Sequence, residues 1–289
     1  MDIRTKAAWL SVLSNSVLML SKFVIGISIG SISVISEGIH SANDLLASFI
    51  ALFAVKKSAV PPDKEHPYGH GKIENVSGTI EALLIFIAAA MILNEAFKKI
   101  TTGAHVEGLG WGIAVMGASA LINWLVSSHL LKVGREHDSI ALEADGMHLR
   151  TDVYTSLGVF IGLVLIHFTG WNIIDPIAAI IVALLIIKAA YDLTKKAFMP
   201  LVDTALDFES IKRIEEILEE QSNYYFEYHD LRTRKAGRES HIDLHLVISP
   251  EKSIQEAHDL CDKIEARINT EIPYSHVLIH VEPRANSPE

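Results

Sequence analysis

The chain has 289 residues, of which 49% are hydrophobic, and its 35 acidic residues outnumber its 25 Lys and Arg residues. The resulting formal charge of −10 argues against a nucleic-acid partner, because phosphate groups need Lys and Arg for neutralisation. A single cysteine, Cys261, excludes an intrachain disulfide and any cysteine-rich zinc site.

Six apolar stretches precede residue 200, and each is long enough to cross a bilayer, which takes about 20 mostly apolar residues. They cover residues 8–29, 33–55, 76–97, 109–131, 141–168 and 173–194. Lys and Arg gather in the turns on one side, for example at Lys56, Lys132 and Lys195. The positive-inside rule therefore predicts a multi-pass protein of the cytoplasmic (inner) membrane, embedded in the lipid bilayer with both termini cytoplasmic.

The end of the chain has the pattern of a soluble domain at residues 204–289, which follows a transmembrane domain at residues 1–203. Its predicted elements are a helix at 207–221, strands at 225–235 and 238–248, a helix at 253–269 and a strand at 274–282. This αββαβ order is typical of a ferredoxin-like α+β sandwich with its helices on one face of the sheet. The predicted fold is therefore an α-helical membrane protein with six transmembrane helices and a cytoplasmic α+β domain.

Alternation along the predicted strands separates apolar from polar side chains. Ile242 and Leu244 are expected to face the helices, whereas His241, Asp243 and His245 face the other way. A polar open face can simply be solvated, and the cluster of imidazoles makes a metal site an equal alternative.

Two of the apolar stretches each contain a His and an Asp four residues apart, His40 with Asp44 and His148 with Asp152. On a helix such a pair lies on one face, so two facing helices offer two imidazoles and two carboxylates to a divalent metal. The same spacing begins at His258 in the soluble domain, so the spacing alone is a weak signal. Ionisable groups inside a membrane are costly and mark functional sites, which favours a metal pathway over structural ion pairing.

The turn after the second stretch holds Asp63, His66 and His70 within eight residues. Such a set can bind zinc, with neighbouring glycines letting the turn fold back, or it can form an ordinary cytoplasmic turn. The two interpretations are equally supported by the residues alone.

The start of the fifth stretch is dense in charge. Glu143 and Asp145 are expected to line the path by which metal arrives from the cytoplasm. Arg150 lies off the face that carries His148 and Asp152, and is expected to pair with a carboxylate or to extend toward the cytoplasm.

Four segments together resemble the cation diffusion facilitator family, at residues 36–44, 66–72, 143–152 and 229–234. The resemblance covers essentially the whole chain, and it implies a homodimer that exchanges metal for protons. It also implies a transport site, a loop site, a binuclear cytoplasmic site at the dimer interface, and a charge pair that joins the two domains. The implied transport site consists of His40, Asp44, His148 and Asp152, and the implied loop site consists of Asp63, His66 and His70. The implied cytoplasmic site consists of His229, His245, His258, His280 and Glu282, and the implied charge pair is Lys72 with Asp203.

The resemblance also bears on the metal, because relatives with a His where this chain has His40 tend toward zinc. The same relatives tend away from cadmium. Imidazole suits zinc, whereas carboxylate-rich sites lean toward manganese, and iron(II), cobalt and nickel also accept His/Asp sites, so these metals and cadmium stay open as cargo. The expected function is proton-coupled zinc efflux rather than catalysis.

Two other classes are weighed against that expectation. A membrane-embedded zinc hydrolase needs an open metal position and a nearby base, yet four protein ligands fill this shell and no HExxH motif occurs. A passive metal channel conflicts with a closed four-ligand site, which binds too tightly for fast conduction.

Overall fold

A computed structural model describes residues 2–30, 32–102, 111–169, 171 and 173–284 of the chain. The chain divides into two compact units, Met1–Phe198 and Met199–Glu289. Each unit is described by itself, and the domain boundary after residue 203 stays a prediction.

The first unit consists of long helices that follow the predicted apolar stretches. They are α1 (Ile3–Ile29), α2 (Ile32–Ser58), α3 (Lys72–Thr102), α4 (Trp111–Glu136), α5 (Ile140–Thr169) and α6 (Ile174–Phe198). At about 1.5 Å per residue, even α6, with 25 residues, exceeds the roughly 30 Å hydrocarbon core of a bilayer. The helical membrane fold is confirmed.

Five of these helices, all except α4, are long and apolar enough among the described residues to cross a membrane. The prediction for 109–131 begins at residues 109–110, which lie outside the described residues. From Trp111 onward α4 is a continuous helix of 26 residues, which is itself longer than a spanning segment needs to be.

The membrane unit exposes large apolar side chains and buries several charged ones. Leu13 and Phe53 are 62% and 63% exposed, whereas Asp44, Glu81 and Asp145 are at most 3% exposed. Helix α1 packs against α2, α4 against α5, and α3 against α6. This inverted distribution is what a lipid environment requires, because a charged group faces the bundle interior when the surroundings are hydrocarbon.

The second unit confirms the predicted αββαβ order. Its elements are α7 (Phe208–Glu220), β1 (Glu227–Ala236), β2 (Glu239–Ile248), α8 (Ile254–Glu271) and β3 (Ser275–Pro283). In the three-stranded sheet β2 is central, antiparallel to β1 and parallel to β3. The helix starts are fixed by side chains, since Asp207 caps α7 and Ser253 forms a capping box with Glu256.

The core of the second unit lies between one face of the sheet and its two helices. Ile242, Leu244 and Leu246 of β2 are at most 1% exposed and belong to one cluster with Ile214 of α7 and Ile264 of α8. Because side chains alternate along a strand, the histidines between these residues are placed on the opposite face. The sheet therefore carries its imidazoles on the face that the helices leave uncovered.

Candidate metal centre

Helices α2 and α5 bring together all four residues of the predicted transport site. The Nε2 atom of His148 lies 3.4 Å from Oδ1 of Asp44, and the Nε2 atom of His40 lies 3.5 Å from Oδ1 of Asp152. The Nε2 atom of His40 is also 3.9 Å from Oδ1 of Asp44. A tetrahedral zinc ion with ligand bonds of about 2.0–2.2 Å needs ligand atoms roughly 3.3–3.6 Å apart. The separations within each of the two pairs match that spacing. His40, Asp44 and Asp152 offer ligand atoms that all lie within 4.8 Å of one another, and His148 joins them through its contact with Asp44.

The four residues differ in their access to the outside of the bundle. The side chains of Asp44 and His148 are 5% and 12% exposed, whereas that of His40 is 51% exposed. A cavity of about 230 Å³ contacts His40, Asp44 and Asp152 and continues past Glu37 and Thr155. It therefore leads from His40, Asp44 and Asp152 toward the start of α2, which the charge pattern predicts to lie on the outer side of the membrane.

On the other side of the metal ligands, a serine organises a buried polar cluster that the sequence analysis missed. The hydroxyl of Ser48 lies 3.1 Å from the backbone oxygen of Asp44 and 3.2 Å from Oδ1 of Asp145. It also accepts a hydrogen bond of 2.7 Å from the amide of Asn15 and lies 2.9 Å from the hydroxyl of Ser11. This cluster supports α2 and α5 directly beneath the ligands.

The two carboxylates predicted to line the cytoplasmic path are engaged elsewhere. Both oxygens of Glu143 accept hydrogen bonds from Lys196 of α6, at 2.6 and 2.7 Å. Asp145 is fully buried against Ser48. Neither residue contacts the cavity that reaches His40, Asp44 and Asp152.

A buried ion pair lies near the opposite end of the helices, and the sequence analysis does not predict it. Arg4 of α1 donates a hydrogen bond of 3.0 Å to Glu74 of α3, and both side chains are at most 4% exposed. The hydroxyls of Ser58 and Ser139 donate to the same carboxylate. Four segments that are far apart in sequence thus meet at one carboxylate.

The predicted loop site is assembled between α2 and α3. Oδ1 of Asp63 lies 3.4 Å from Nδ1 of His66, and Oδ2 lies 3.4 Å from Nε2 of His70. The backbone amide of His66 donates to Asp63, and this hydrogen bond holds the pKa of the exposed carboxyl below its usual value. An ionised carboxylate and two imidazoles within reach of one another form a donor set that suits zinc.

The sheet brings together four of the five residues predicted for the cytoplasmic site. Nδ1 of His245 is 3.0 Å from Oε1 of Glu282, while Nε2 of His229 is 3.7 Å from its other oxygen. His280 completes the group, with Nε2 3.7 Å from Oε1 of Glu282. Three imidazoles around one carboxylate again fit zinc chemistry.

Strand pairing explains why these side chains meet. His229 of β1 is opposite His245 of β2, which in turn is opposite His280 of β3. The pairing register between β1 and β2 shifts directly after His229, and the next residue of β1 that is paired is Arg232. The three imidazole rings consequently form a row across the sheet, with ring centroids 5.1 and 4.8 Å apart.

Two predicted interactions involve residues that one unit of a single chain does not bring together. His258 lies on α8, the helix that packs on the apolar face of the sheet, and pairs with Asp262 at 3.6 Å. Its role in the cytoplasmic site stays a prediction that needs a second copy of the chain. Lys72 and Asp203 belong to the two separate units, so their pairing also stays a prediction.

Two family models together cover nearly the whole chain. Residues 8–202 match the cation efflux transmembrane domain, and residues 206–284 match the cytoplasmic domain of cation efflux proteins. The chain belongs to the cation diffusion facilitator family. This is a family of transporters rather than enzymes, and the match to its cytoplasmic dimer domain supports homodimerisation.

Full-length relatives come from bacteria and archaea. An uncharacterized transporter of Methanocaldococcus jannaschii is 33% identical over 93% of this chain and 95% of its own length. The manganese efflux system protein MneP of Bacillus subtilis is 30% identical, covering 98% and 97% of the two chains. The cation-efflux pump FieF of Shewanella oneidensis is 29% identical, covering 94% and 92%. These relatives place the chain among divalent metal cation efflux transporters.

Two solved structures of CzrB each match less than a third of this chain. The CzrB structure is 38% identical and covers 28% of this chain and 100% of its own, with a TM-score of 0.27. A zinc form of CzrB is 36% identical and covers 30% and 99%, with a TM-score of 0.28.

Proposed function

We propose that this cation diffusion facilitator exports zinc across the cytoplasmic membrane in exchange for protons, with His40, Asp44, His148 and Asp152 as the transport site. The observation that carries the proposal is the meeting of these residues between α2 and α5, where His148 lies 3.4 Å from Asp44 and His40 lies 3.5 Å from Asp152, separations that suit the ligands of a tetrahedral ion. Asp44 is buried among apolar helices, which supports a place on a membrane pathway.

Zinc is the first candidate because two imidazoles and two carboxylates in a tetrahedron form a borderline donor set. Manganese is the second candidate, and a specific observation favours it. Two Bacillus subtilis relatives, MneP and MneS, are named as manganese efflux system proteins and are 30% and 29% identical. Manganese prefers oxygen ligands and octahedral geometry, which this donor set provides less well.

Proton coupling follows from the chemistry of the imidazoles. A histidine must be neutral to hold a metal ion, so protons and zinc compete for His40 and His148. The cavity of about 230 Å³ lets protons from the outer side reach His40 and Asp152. Protonation on that side releases the metal outward. The protonated side chains then carry protons inward when the helices expose the site to the cytoplasm.

Two further metal sites are assigned to regulation and assembly. The loop cluster of Asp63, His66 and His70 and the sheet cluster around Glu282 would hold zinc outside the membrane. In a homodimer, His258 of the partner subunit would join the sheet cluster. Metal there would neutralise an acidic dimer interface, and Lys72 with Asp203 would transmit the resulting arrangement to the helices.

Metal binding to the purified full-length protein tests the assignment of the transport site. The binding is measured by calorimetry in a background carrying His70→Ala and His245→Ala, which removes the two sites outside the membrane. Zinc is expected to bind this background and to be displaced only weakly by manganese. Asp152→Ala should weaken zinc binding by more than about 100-fold, because even residues that only support a ligand contribute about 10–100-fold.

The matched control is Asp192→Ala, which removes an exposed carboxylate from α6. It should leave zinc affinity unchanged. Equal affinity in Asp152→Ala and Asp192→Ala would remove these four residues from the proposal, and preferential binding of manganese would replace zinc as the cargo.

A further inference from the structure

An open cleft of about 550 Å³ lies between α4 and α5, on their surface and apart from the metal ligands. Three cationic side chains line it, those of Lys132, Arg135 and Arg150, together with a single carboxylate, Glu136. Its net charge is therefore positive. The metal pathway uses none of these four residues.

Arg150 is the deepest cation of the cleft, and most of its hydrogen-bonding capacity is unused. It donates one hydrogen bond of 2.8 Å, to the hydroxyl of Ser128. Its Nε is buried and has no hydrogen-bond partner among the described residues. Of the two expectations for Arg150, a carboxylate partner or extension toward the cytoplasm, the first is not met in the described part of the chain, where no ion pair involves Arg150. A guanidinium offers five donors in a plane, a geometry that matches a phosphate.

The other two cations continue from Arg150 toward the end of α4. Ser128, Lys132 and Arg135 are spaced by four and three residues, so they lie along one face of the helix. They span about 10 Å along the axis. Lys132 pairs with Glu136 at 3.9 Å, and both side chains are more than half exposed. Such an exposed ion pair is weak, so Lys132 can still bind an anion.

Apolar side chains continue the cleft in the direction of the membrane centre. Tyr154 lines it and is 40% exposed, and the neighbouring Leu157 of α5 and Leu125 of α4 are 52% and 56% exposed. The cations match the anionic headgroup of a phospholipid, and the apolar side chains beneath them match its acyl chains. Basic pockets between membrane helices bind lipid headgroups in this way.

We propose that this cleft binds an anionic phospholipid, whose phosphate contacts Arg150 and Arg135 and whose acyl chain lies against Tyr154 and the apolar faces below. The leaflet is the one that contains the Glu136 end of α4, which the proposed orientation makes cytoplasmic. A headgroup held in this way bridges α4 and α5, the helix that carries His148 and Asp152. The binding requires neither zinc nor protons, so it stands or falls separately from the transport mechanism.

Native mass spectrometry of the full chain in detergent tests the proposal. The protein is titrated with phosphatidylglycerol and with phosphatidylcholine of the same acyl chains, without metal. Phosphatidylglycerol should stay bound and phosphatidylcholine should not. Arg150→Gln and Arg135→Gln should each weaken phosphatidylglycerol binding about fivefold, the expected effect of one cation near a lipid headgroup. Arg135→Gln keeps the test valid if Arg150→Gln fails to fold, because no ion pair of Arg135 is broken in the described chain.

The control is Lys57→Gln, which removes an exposed cation at the end of α2, on the same side of the membrane as Glu136. It should leave phosphatidylglycerol binding unchanged. Equal retention of the two lipids, or an equal loss in Lys57→Gln and Arg150→Gln, would overturn the proposal. Displacement of the lipid by millimolar inorganic phosphate would overturn it as well, because the cleft would then take a free anion.

Discussion

At the scale of single residues, the sequence predicts which His and Asp residues meet between α2 and α5 and misses the polar residues beside them. The pair of His40 and Asp44 is visible in the sequence because a spacing of four on one helix is a local pattern. Ser48 has no such pattern, since serines are common in membrane helices, and its partners Asn15 and Asp145 lie 33 and 97 positions away. Long-range hydrogen bonds of this kind become visible only once the helices are packed.

The first prediction concerns Ser48, which contacts Asn15, Asp44 and Asp145 beneath the metal site. Ser48→Ala should lower the free energy of unfolding by about 1–2 kcal/mol, because it leaves buried polar groups without a partner. Equilibrium unfolding in mixed micelles measures the change. Ser28→Ala is the control, since Ser28 is exposed and bonds only to Val24 of its own helix. Equal stability of the two variants would show that the cluster does not support the fold.

The second prediction is a pH dependence that resides in His241. Burial lowers the pKa of this histidine, with further lowering by Arg234 and His276. The folded protein therefore binds the proton more weakly than the unfolded chain does. Stability contributed by neutral His241 is complete above the unfolded pKa of about 6.5 and falls as the pH drops below it. His241→Gln should make the second unit less sensitive to acid.

Cys261 provides the measurement for that prediction, because it is buried on α8. The labelling rate of its thiol, divided by the rate in the unfolded chain at the same pH, reports opening of the unit. Protection should fall between pH 7 and pH 5, and less so in His241→Gln. His129→Gln, which changes an exposed histidine of the membrane unit, should behave like the wild type. An unchanged acid response in His241→Gln would exclude His241 as its source.

At the scale of elements, hydropathy located the helices but underestimated their lengths. The third stretch was predicted at 76–97, whereas α3 spans Lys72–Thr102. A hydropathy window stops at charged residues, but backbone hydrogen bonding continues through Glu74 and Lys99 into the interfacial region. The strands were predicted within about two residues, because alternation of apolar and polar side chains is itself the signal for a half-buried strand.

The third prediction concerns the close approach of α4 and α5 at Gly146. A Cβ atom there would lie 3.0 Å from Cγ of Leu131 and 3.1 Å from the backbone nitrogen of the same residue. Gly146→Ala should therefore cost about 1–3 kcal/mol of unfolding free energy, since the backbone of α4 must move. It should also weaken zinc binding, because His148 follows two residues later on α5.

The control for Gly146→Ala is Gly117→Ala on α4, where an added Cβ meets nothing within 4 Å. Alanine favours the helix over glycine by roughly 1 kcal/mol, so this variant should be at least as stable as the wild type. Unfolding in mixed micelles and zinc calorimetry compare the two. A Gly146→Ala protein as stable as Gly117→Ala would contradict the tight packing of α4 on α5.

At the scale of the whole molecule, the sequence predicted both folds and their order, and the family comparison confirmed them. The parts that could not be predicted are those that depend on a second chain or on motion. His258 lies on α8, on the helix side of the sheet, so its predicted role in the cytoplasmic site would require contacts across a dimer. In the described residues, the cavity reaches the proposed transport site from one side, whereas transport requires access from each side of the membrane in turn.

The central claim is that one four-ligand site within the helical bundle exchanges zinc for protons. The direct test is zinc uptake by proteoliposomes with an acidic interior, with zinc supplied on the outside. Zinc should accumulate above its external concentration while the gradient lasts, and an ionophore that dissipates the gradient should stop the accumulation. Asp152→Ala should abolish it and Asp192→Ala should not. Zinc that only equilibrates whatever the gradient, or wild-type accumulation in Asp152→Ala, would contradict the account.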